Sequence, residues 1–183
     1  MGHEGRQSQA SELLQSWARL LDPNHIPGPV LDLACGDGRN GIYAARHGLE
    51  VICCDRSRPA LRQARREARA RGVRIRLWWT DLEAADRTAL PKNTFGAVLV
   101  FRYLHRPLIP EIRRAVRPGG YVIYETFTAD QPKFGPPRNP DHLLKPEELE
   151  EWFRDWEVLH RFEGVLTDPD RAMARIVARK PSA

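Results

Sequence analysis

Apolar runs of strand length alternate along this chain with segments whose apolar residues recur at helical spacing. The runs predict strands, and the spaced segments predict helices. In chain order the strands are 29–34, 50–54, 74–80, 96–101 and 121–127, and the helices are 39–47, 59–71 and 108–116. Alternation of this kind indicates a parallel sheet joined by right-handed crossovers. The sequence therefore predicts a doubly wound, Rossmann-like α/β fold.

The segments that flank this core extend the pattern. They are a helix at about 8–21, at most a short helix within 82–94, a helix at about 146–153 and strands at 157–162 and 172–178. The turn cluster Thr167-Asp168-Pro169-Asp170 favours an antiparallel hairpin between the last two strands. We therefore expect seven strands, mostly parallel, with the last one antiparallel.

Length and composition favour one soluble domain over residues 1–183. The chain carries a net charge of +5, and its apolar runs are far shorter than the roughly 20 residues of a membrane span. Its first residues lack the apolar core of a signal peptide, and three cysteines fit a reducing compartment, so we expect a cytoplasmic location. The expected parts are an N-terminal helix region (1–27), a cofactor-binding core (28–127), a candidate lid loop (131–146) and a helix with a hairpin (147–183).

A glycine loop follows the first predicted strand, where residues 30–41 read Val-Leu-Asp-Leu-Ala-Cys-Gly-Asp-Gly-Arg-Asn-Gly. Gly36 and Gly38 remove side chains where the backbone must turn and approach a ligand. Gly36-x-Gly38-x-x-Gly41 also satisfies the dinucleotide fingerprint, so the glycines alone leave NAD(P) and other adenosine cofactors open. Asp32 favours a cationic ligand, because a pyrophosphate has no use for a carboxylate beside it.

The stretch 32–38, Asp-Leu-Ala-Cys-Gly-Asp-Gly, resembles the first motif of the class I S-adenosylmethionine-dependent methyltransferases. The resemblance continues in order over about 28–127. Its further matches are Asp55 after the second strand, Asp81-Leu82 after the third, the fourth strand at 95–101, and Arg117-Pro118-Gly119-Gly120 before the fifth. It implies S-adenosylmethionine as methyl donor and S-adenosylhomocysteine as product.

The resemblance also implies donor-binding residues. Asp55 takes the ribose hydroxyls, Asp81 meets the adenine amino group, and Leu82 is the partner of the ring. The other expected donor contacts are Asp32, Ala34, Cys35, Gly36, Gly38, Asn40, Arg56, Phe101 and Arg102. Ala34 stands where many members of the family have glycine, and we expect it only to tighten the turn slightly.

Each carboxylate has a structural alternative as well. Asp32 can cap the glycine turn, and Asp81 can cap a short helix after it. Asp55 can cap the helix that begins after Ser57-Arg58-Pro59, although Ser57 suits that position and leaves Asp55 free.

Residues 125–149 resemble the small bacterial methyltransferases of the tellurite-resistance type, through Glu125-Thr126-Phe127 and the segment from Lys133 to Leu149. This resemblance implies a small-molecule methyl acceptor. Because a sulfonium is already activated, we expect direct in-line transfer that depends mainly on alignment of donor and acceptor. We expect no metal, since no His, Cys or Asp spacing resembles a metal site.

Candidate acceptor contacts follow the fourth strand, because open parallel sheets bind ligands at the carboxyl ends of their strands. His105 and Tyr103 are the candidate catalytic residues. An imidazole can take a proton from an acceptor hydroxyl or thiol, whereas a polar loop residue is the alternative for His105. Arg102 either pairs with the donor's methionine carboxylate or is a surface arginine. The further acceptor candidates are Glu125, Thr126, Phe134 and His142.

Nine arginines crowd the segment from Arg56 to Arg76. A basic stripe suits nucleic acid, so an RNA methyltransferase is one alternative function. The stripe is otherwise a solvated helix face whose buried side is formed by Ala60, Leu61, Ala64 and Ala68.

A non-catalytic S-adenosylmethionine-binding partner subunit is a further alternative. The complete set of Asp32, Asp55 and Asp81 disfavours it, because loss of these residues is the sign of a dead pocket. The sequence leaves the oligomeric state open, and it predicts no membrane partner.

Overall fold

The computed structural model describes residues 9–84 and 90–182. Its strands are β1 (Val30–Leu33), β2 (Val51–Asp55), β3 (Arg76–Trp79), β4 (Phe95–Phe101), β5 (Val116–Phe127), β6 (Glu157–Leu166) and β7 (Arg171–Arg179). Its α-helices are α1 (Glu12–Ser16), α2 (Arg39–Arg46), α3 (Arg58–Ala70), α4 (Ile109–Ala115) and α5 (Glu148–Trp152). None of the helices in these two ranges has the length and apolar character needed to cross a membrane.

The strands form one seven-stranded sheet in the order β3-β2-β1-β4-β5-β7-β6. All pairs from β3 across to β5 are parallel, whereas β7 runs antiparallel to both β5 and β6. This confirms the predicted doubly wound fold and its terminal antiparallel hairpin. In such a sheet the carboxyl ends of β1, β2 and β4 lie side by side at one edge.

The central strands are buried on both faces. Along β4, Val98 and Val100 belong to one apolar cluster, while Ala97, Leu99 and Phe101 belong to the other. Side chains of a strand alternate between its two faces, so each cluster lies on one side of the sheet. Because both faces of these strands are covered by apolar side chains, polar groups that bind a ligand have to lie at the ends of the strands.

Helix α2 lies directly on β1 and β2 because residue 41 is glycine. A Cβ at Gly41 would stand 2.8 Å from the Cys53 sulfur and 2.9 Å from Asp32 Oδ2, both too close for a real contact. Gly38 begins this helix with a φ of +77°, a conformation that side chains other than glycine rarely adopt. Gly41 therefore allows the close packing of α2 on the sheet, and Gly38 allows the turn that begins the helix.

Several predicted boundaries are wrong. The first helix was expected over 8–21, but α1 ends at Ser16 and a 3-10 turn follows at Ala18–Leu20. Leu13 and Leu14 are buried, as apolar residues of a packed helix should be, while the Trp17 ring lies 6.0 Å from that of His160 on β6. Packing against the sheet overrides the helical periodicity after one turn.

The fifth strand begins earlier than predicted, at Val116. Phe95 pairs with Val116 and Ala97 with Tyr121, so residues 117–120 bulge opposite a single residue of β4. The expected turn before the strand is thus an irregularity inside it. Strand β6 also runs to Leu166, and α5 is shorter than predicted. The expectation for 82–94 falls partly on 85–89, which lie outside the described residues.

Ala34 adopts a φ of +52°, in the left-handed region. The expectation that alanine only tightens this turn is too mild, since a Cβ there costs about 1–2 kcal/mol. Ala34→Gly should raise the free energy of unfolding by about 1 kcal/mol in urea denaturation. Ala70→Gly, on the exposed side of α3, should lower it by up to about 1 kcal/mol. An Ala34→Gly protein no more stable than the parent would contradict this account.

Candidate active site

Two adjoining cavities open at the carboxyl ends of the parallel strands, with volumes of about 450 Å³ and about 280 Å³. Ala34, after β1, and Arg102, after β4, line both of them. The larger cavity is also lined by Asp55, Arg56, Asp81, Leu82, Glu83, Tyr103, Leu104, Phe127, Pro137 and His142. The smaller one is also lined by Asp32, Cys35, Gly36, Asp37, Arg39, Asn40 and Phe101.

The glycine loop forms the floor of the smaller cavity and is fixed by backbone hydrogen bonds. The Cys35 amide donates to the Cys54 carbonyl at 2.9 Å, and the Gly38 amide donates to the Cys35 carbonyl at 2.9 Å. A Cβ placed on Gly36 would meet no atom within 4 Å. The loop therefore presents bare backbone to open space, as close approach of a ligand requires.

Asp32 holds the start of α2 and also borders a cavity. Its Oδ2 accepts a hydrogen bond from the Gly41 amide at 2.8 Å, and the residue also borders the smaller cavity. Burial raises the pKa of Asp32 to about 7, against the hydrogen bond from Gly41. The nearby carboxylates of Asp37 and Asp55 raise this pKa further, whereas Arg39 lowers it. A cationic ligand would restore the charged form.

The carboxylate of Asp55 borders the larger cavity and orders the loops around it. Oδ2 accepts the Gly36 amide at 2.9 Å, and Oδ1 accepts the Ser57 amide at 2.7 Å. Ser57 caps α3 as predicted, with its hydroxyl accepting the Ala60 amide at 3.3 Å. Ser57 nevertheless does not leave Asp55 free, and the carboxylate has only its remaining lone pairs for a ligand.

The far side of the larger cavity is formed by the segment after β3. Asp81 is exposed and accepts the Glu83 amide at 3.0 Å, whereas Leu82 is buried. Arg56 pairs with Glu83 at 3.6 Å across the rim. An apolar wall beside a carboxylate suits a flat ring that carries an amino group.

Arg102 stands between the two cavities in a strained conformation. Its φ is +56°, and its amide donates to the Glu125 carbonyl at 2.8 Å. Partial burial, and then the charge of Arg39, lowers the pKa of Arg102. Strained backbone of this kind clusters at functional sites.

The predicted acceptor residues divide into two groups. Tyr103 and His142 line the larger cavity. The Tyr103 hydroxyl donates to Glu83 at 3.5 Å, and burial followed by the Glu83 charge raises the pKa of Tyr103. His105, Glu125, Thr126 and Phe134 are not among the residues that line either cavity. His105 begins a 3-10 turn, and Phe134 faces solvent.

Glu125 takes part in a largely buried ion pair and lines neither cavity. Its Oε2 lies 2.6 Å from Arg175 Nε, and its Oε1 accepts the Ser11 hydroxyl at 3.1 Å. The Ser11 amide in turn donates to Asn40 Oδ1 at 2.8 Å, so the segment before α1 is joined to the wall of the smaller cavity. These contacts give Glu125 a structural role, and its contact with the acceptor stays a prediction.

The segment 131–146, predicted as a lid, is fixed at both ends. The buried Gln131 accepts the Ala172 amide at 2.9 Å and donates to the Pro136 carbonyl at 3.0 Å. Near the other end, Arg106 donates to the Leu143 carbonyl at 2.8 Å. The stretch between these anchors places Pro137 and His142 on the larger cavity, and its movement stays a prediction.

Sequence reasoning missed several lining residues. They are Asp37, Arg39, Glu83, Leu104, Phe127 and Pro137. Asp37 lies within the first matched motif, and Arg39 and Glu83 directly follow matched motifs. Phe127 ends β5. Position at a motif or at a strand end is the signal that finds these four residues. Pro137 carries no such signal.

Asp32, Cys35 and Cys53 bring three ligand atoms within 4.8 Å of one another, although their sequence spacing resembles no metal site. Hydrogen bonding with the Cys53 thiol, and then burial, raises the pKa of Cys35 far above its usual range. A protonated thiol is not the metal-binding form. The expectation of no metal stays a prediction.

Comparison with known proteins agrees with this geometry. Residues 30–120 match the family model described as methyltransferase domain. The chain is 27% identical over 147 residues to the probable S-adenosyl-L-methionine-dependent methyltransferase TehB of Haemophilus influenzae, covering 76% of this chain and 49% of TehB. The chain belongs to the class I S-adenosylmethionine-dependent methyltransferases. The resemblance to the tellurite-resistance type is thereby confirmed.

Two further comparisons give a sequence relative and a structure of the same fold. Hemagglutinin 1 of Eikenella corrodens is 31% identical over 145 residues, covering 76% of this chain and 47% of that protein. The crystal structure of TehB from Haemophilus influenzae shares the fold, with a TM-score of 0.71 and 24% identity over 91% of this chain and 61% of that chain. The chain spans about half the length of the curated relatives it matches.

The residues present fit S-adenosylmethionine, the methyl donor of this family. The molecule carries a sulfonium, an ammonium, a carboxylate and an adenosine. The cavities offer several carboxylates, three arginines, bare glycine backbone and the apolar wall of Leu82. These groups match the ligand in charge and in polarity.

The titration of Asp32 should make stability depend on pH. In the folded protein Asp32 keeps its proton up to pH about 7, whereas the ordinary pKa of an aspartate carboxyl is 3.8. Unfolding therefore releases this proton between those values, so the contribution of Asp32 to stability is greatest at low pH and falls as pH rises to about 7. Asp32→Asn, which keeps an acceptor for Gly41, should remove this part of the fall in urea unfolding between pH 4 and pH 8.

Donor affinity should show the opposite trend, because a cationic ligand prefers the charged carboxylate. Calorimetric affinity for S-adenosylmethionine should rise by about tenfold between pH 6 and pH 8 in the parent and stay flatter in Asp32→Asn. Equal pH profiles for the two proteins would contradict the assignment.

The Glu125 pair gives a prediction that separates the two interpretations of this residue. Glu125→Gln should lower the free energy of unfolding by about 1–3 kcal/mol, because it leaves the largely buried Arg175 side chain with only the exposed and more distant carboxylate of Glu12, at 3.4 Å. Glu157→Gln, whose pair with Arg179 at 3.9 Å is exposed, should change it by less than about 1 kcal/mol. Unchanged stability with a raised KM for the acceptor would instead restore Glu125 as an acceptor contact.

Proposed function

We propose that this protein transfers the methyl group of S-adenosylmethionine to a small-molecule acceptor by direct in-line displacement. The observation that carries the proposal is the pair of adjoining cavities that share Ala34 and Arg102. One is polar and bounded by the glycine loop, and the other has largely apolar walls. A donor that spans both would supply an activated methyl group near their junction.

The smaller cavity holds the methionine end of the donor in this proposal. Asp32 faces the ammonium, and Arg102 with Arg39 faces the carboxylate. Cys35, Gly36, Asn40 and Phe101 complete this end by backbone and packing. Gly38 lines neither cavity and packs against Ala64 of α3, so its predicted role is limited to shaping the loop. In the larger cavity Asp55 takes the ribose hydroxyls, while Asp81, Leu82 and Arg56 surround the adenine.

The acceptor occupies the rest of the larger cavity, near Tyr103, Phe127 and His142. A total of about 450 Å³, shared with the adenosine, leaves room for a small molecule and not for a folded protein. Mainly apolar and aromatic walls favour an acceptor with an apolar body. Alignment is the chief requirement, and it supplies roughly 7–11 kcal/mol in favourable cases.

We assign the proton-accepting role to His142, because it reaches the cavity and His105 does not line it. His105 stays a second candidate, to be tested beside it. Phe134 lies outside the lining and stays a candidate only if the segment 131–146 closes over the acceptor. A cytoplasmic location belongs to the proposal as well, on the three unpaired cysteines.

Two other functions keep support. A tRNA 5-carboxymethoxyuridine methyltransferase of Escherichia coli is 25% identical over 156 residues, covering 71% of this chain and 60% of that protein, and it favours an RNA acceptor. The second alternative is a partner subunit that binds S-adenosylmethionine and transfers no methyl group. A metabolite panel assayed with labelled methyl donor, run beside an RNA pool, separates all three, since only the small-molecule enzyme labels a metabolite.

Donor binding and acceptor chemistry should separate by mutation. Asp55→Ala should weaken S-adenosylhomocysteine binding by about 1.5–3 kcal/mol in calorimetry, the scale for hydrogen bonds to a charged group. His142→Ala should leave this affinity nearly unchanged and lower the single-turnover rate by about 10²–10⁴ with a hydroxyl or thiol acceptor. His105→Ala serves as the control, with a rate close to the parent's.

A different pattern would change the assignment. A normal rate in His142→Ala together with a slow His105→Ala would return the catalytic role to His105. Activity lost with a chelator and restored by a divalent ion would overturn direct transfer without a metal. Tight NADH binding with no heat from S-adenosylmethionine would overturn the donor itself.

A further inference from the structure

The positive charge of this methyltransferase is concentrated in one short segment. Residues 56–76 hold nine arginines, one glutamate and no lysine, a net charge of +8. The whole chain carries only +5, so the other 162 residues are net negative, at −3. A basic composition spread over the surface would only aid solubility, whereas this distribution creates one positive face on an otherwise acidic protein.

The segment folds into α3, β3 and the turn between them at one edge of the sheet. Leu61, Ala64 and Ala68 face the core, as the sequence predicts, while Ala60 is half-buried. Four arginines form an exposed stripe along the opposite side, at positions 62, 65, 66 and 69. With Arg58 at the start of the helix, the stripe is about 16 Å long.

Few of these charges are neutralised within the described residues. Glu67 pairs with Arg71, Glu50 with Arg76, and Glu83 with Arg56. The stripe itself has no carboxylate partner among residues 9–84 and 90–182. Guanidinium groups grouped in this way repel one another, and a bound polyanion relieves that repulsion.

An exposed aromatic ring adjoins the stripe at the end of β3. Trp79 is 51% exposed, the largest value among the exposed large hydrophobic side chains of the described residues. Its indole N–H donates to the Arg56 carbonyl at 2.9 Å, which fixes the ring. The Arg58 guanidinium lies 3.9 Å from the ring centroid. A held tryptophan beside stacked arginine is a surface on which an unpaired base can stack.

We propose that α3 and Trp79 form a docking surface for single-stranded nucleic acid. The arginine stripe contacts successive phosphates, and Trp79 takes an unpaired base. Bidentate guanidinium groups suit phosphate, and the ring adds a contact that neither a duplex nor a lipid headgroup offers. The inference does not depend on the identity of the methyl acceptor, because no arginine of the stripe lines either cavity; of the arginines in 56–76, only Arg56 does.

Fluorescence anisotropy with a labelled RNA oligonucleotide of about 12 nucleotides tests the surface on the full chain. The protein should bind it with an affinity that falls steeply with salt. Arg65→Gln with Arg69→Gln should flatten the slope of log K against log salt by about 1.4. Arg154→Gln with Arg161→Gln should leave it unchanged, because Arg161 is on β6, at the opposite edge of the sheet from β3, and Arg154 precedes that strand. Glutamine keeps helix propensity, and circular dichroism checks the fold.

Trp79 supplies the second arm, which separates stacking from charge. Trp79→Ala should weaken RNA binding at least about fivefold, and Trp79→Phe should restore most of the loss, because phenylalanine keeps a stacking face. S-adenosylhomocysteine affinity should be the same in all these variants, which keeps a failure of this surface distinct from a failure of the donor site.

Three results would overturn the proposal. Equal binding of duplex RNA with no effect of Trp79→Ala would show a purely electrostatic surface. Tighter binding to vesicles with anionic lipid than to RNA, lost in the same arginine variant, would assign the face to a membrane. RNA binding that is insensitive to the arginine variant would place any nucleic-acid contact elsewhere on the chain.

Discussion

The hydrogen bond from the Gly41 amide to the buried carboxylate of Asp32 is the contact on which the site depends. It holds the first turn of α2 against β1 at a point where any side chain on residue 41 would collide with Asp32 and Cys53. Because the helix cannot shift along the sheet, the loop between β1 and α2 spans two fixed ends. The amides of Cys35 and Gly36 are then held by β2, and the donor cavity results from this seating of one helix on two strands.

Most of the fold and the donor half of the site follow from local patterns. The residues that determine strand length, burial and the glycine turn lie within a few positions of each other. Because neighbouring parallel strands have their carboxyl ends at the same edge of the sheet, Asp32, Asp55 and Asp81 come to that edge. The matched motifs lie in this half. Where local pattern failed, as at the end of α1, packing of Trp17 against β6 decided the outcome.

The acceptor half depends on contacts between residues far apart in sequence. Glu125 pairs with Arg175, 50 residues away, and this pairing gives its carboxylate a structural role. Gln131 reaches Ala172, 41 residues away, and the anchored segment delivers His142 to the cavity. Nothing near either residue signals these partners. The positive φ of Ala34 is likewise a property of the assembled loop and not of its sequence.

Acidic and basic side chains of this methyltransferase lie in different parts of the fold. This separates binding in the cavities from binding on the outer face of α3. Asp32 borders the smaller cavity, where burial raises its pKa to about 7 and keeps its charge costly until a cation binds. Arginines occupy the outer face of α3, where water and salt screen them over about 10 Å. Arg56 is the residue at which the two regions meet, because it lines the larger cavity and pairs with Glu83 on the rim. Tyr103 donates to the same Glu83, so this ion pair joins the arginine-rich segment to a residue that lines the larger cavity.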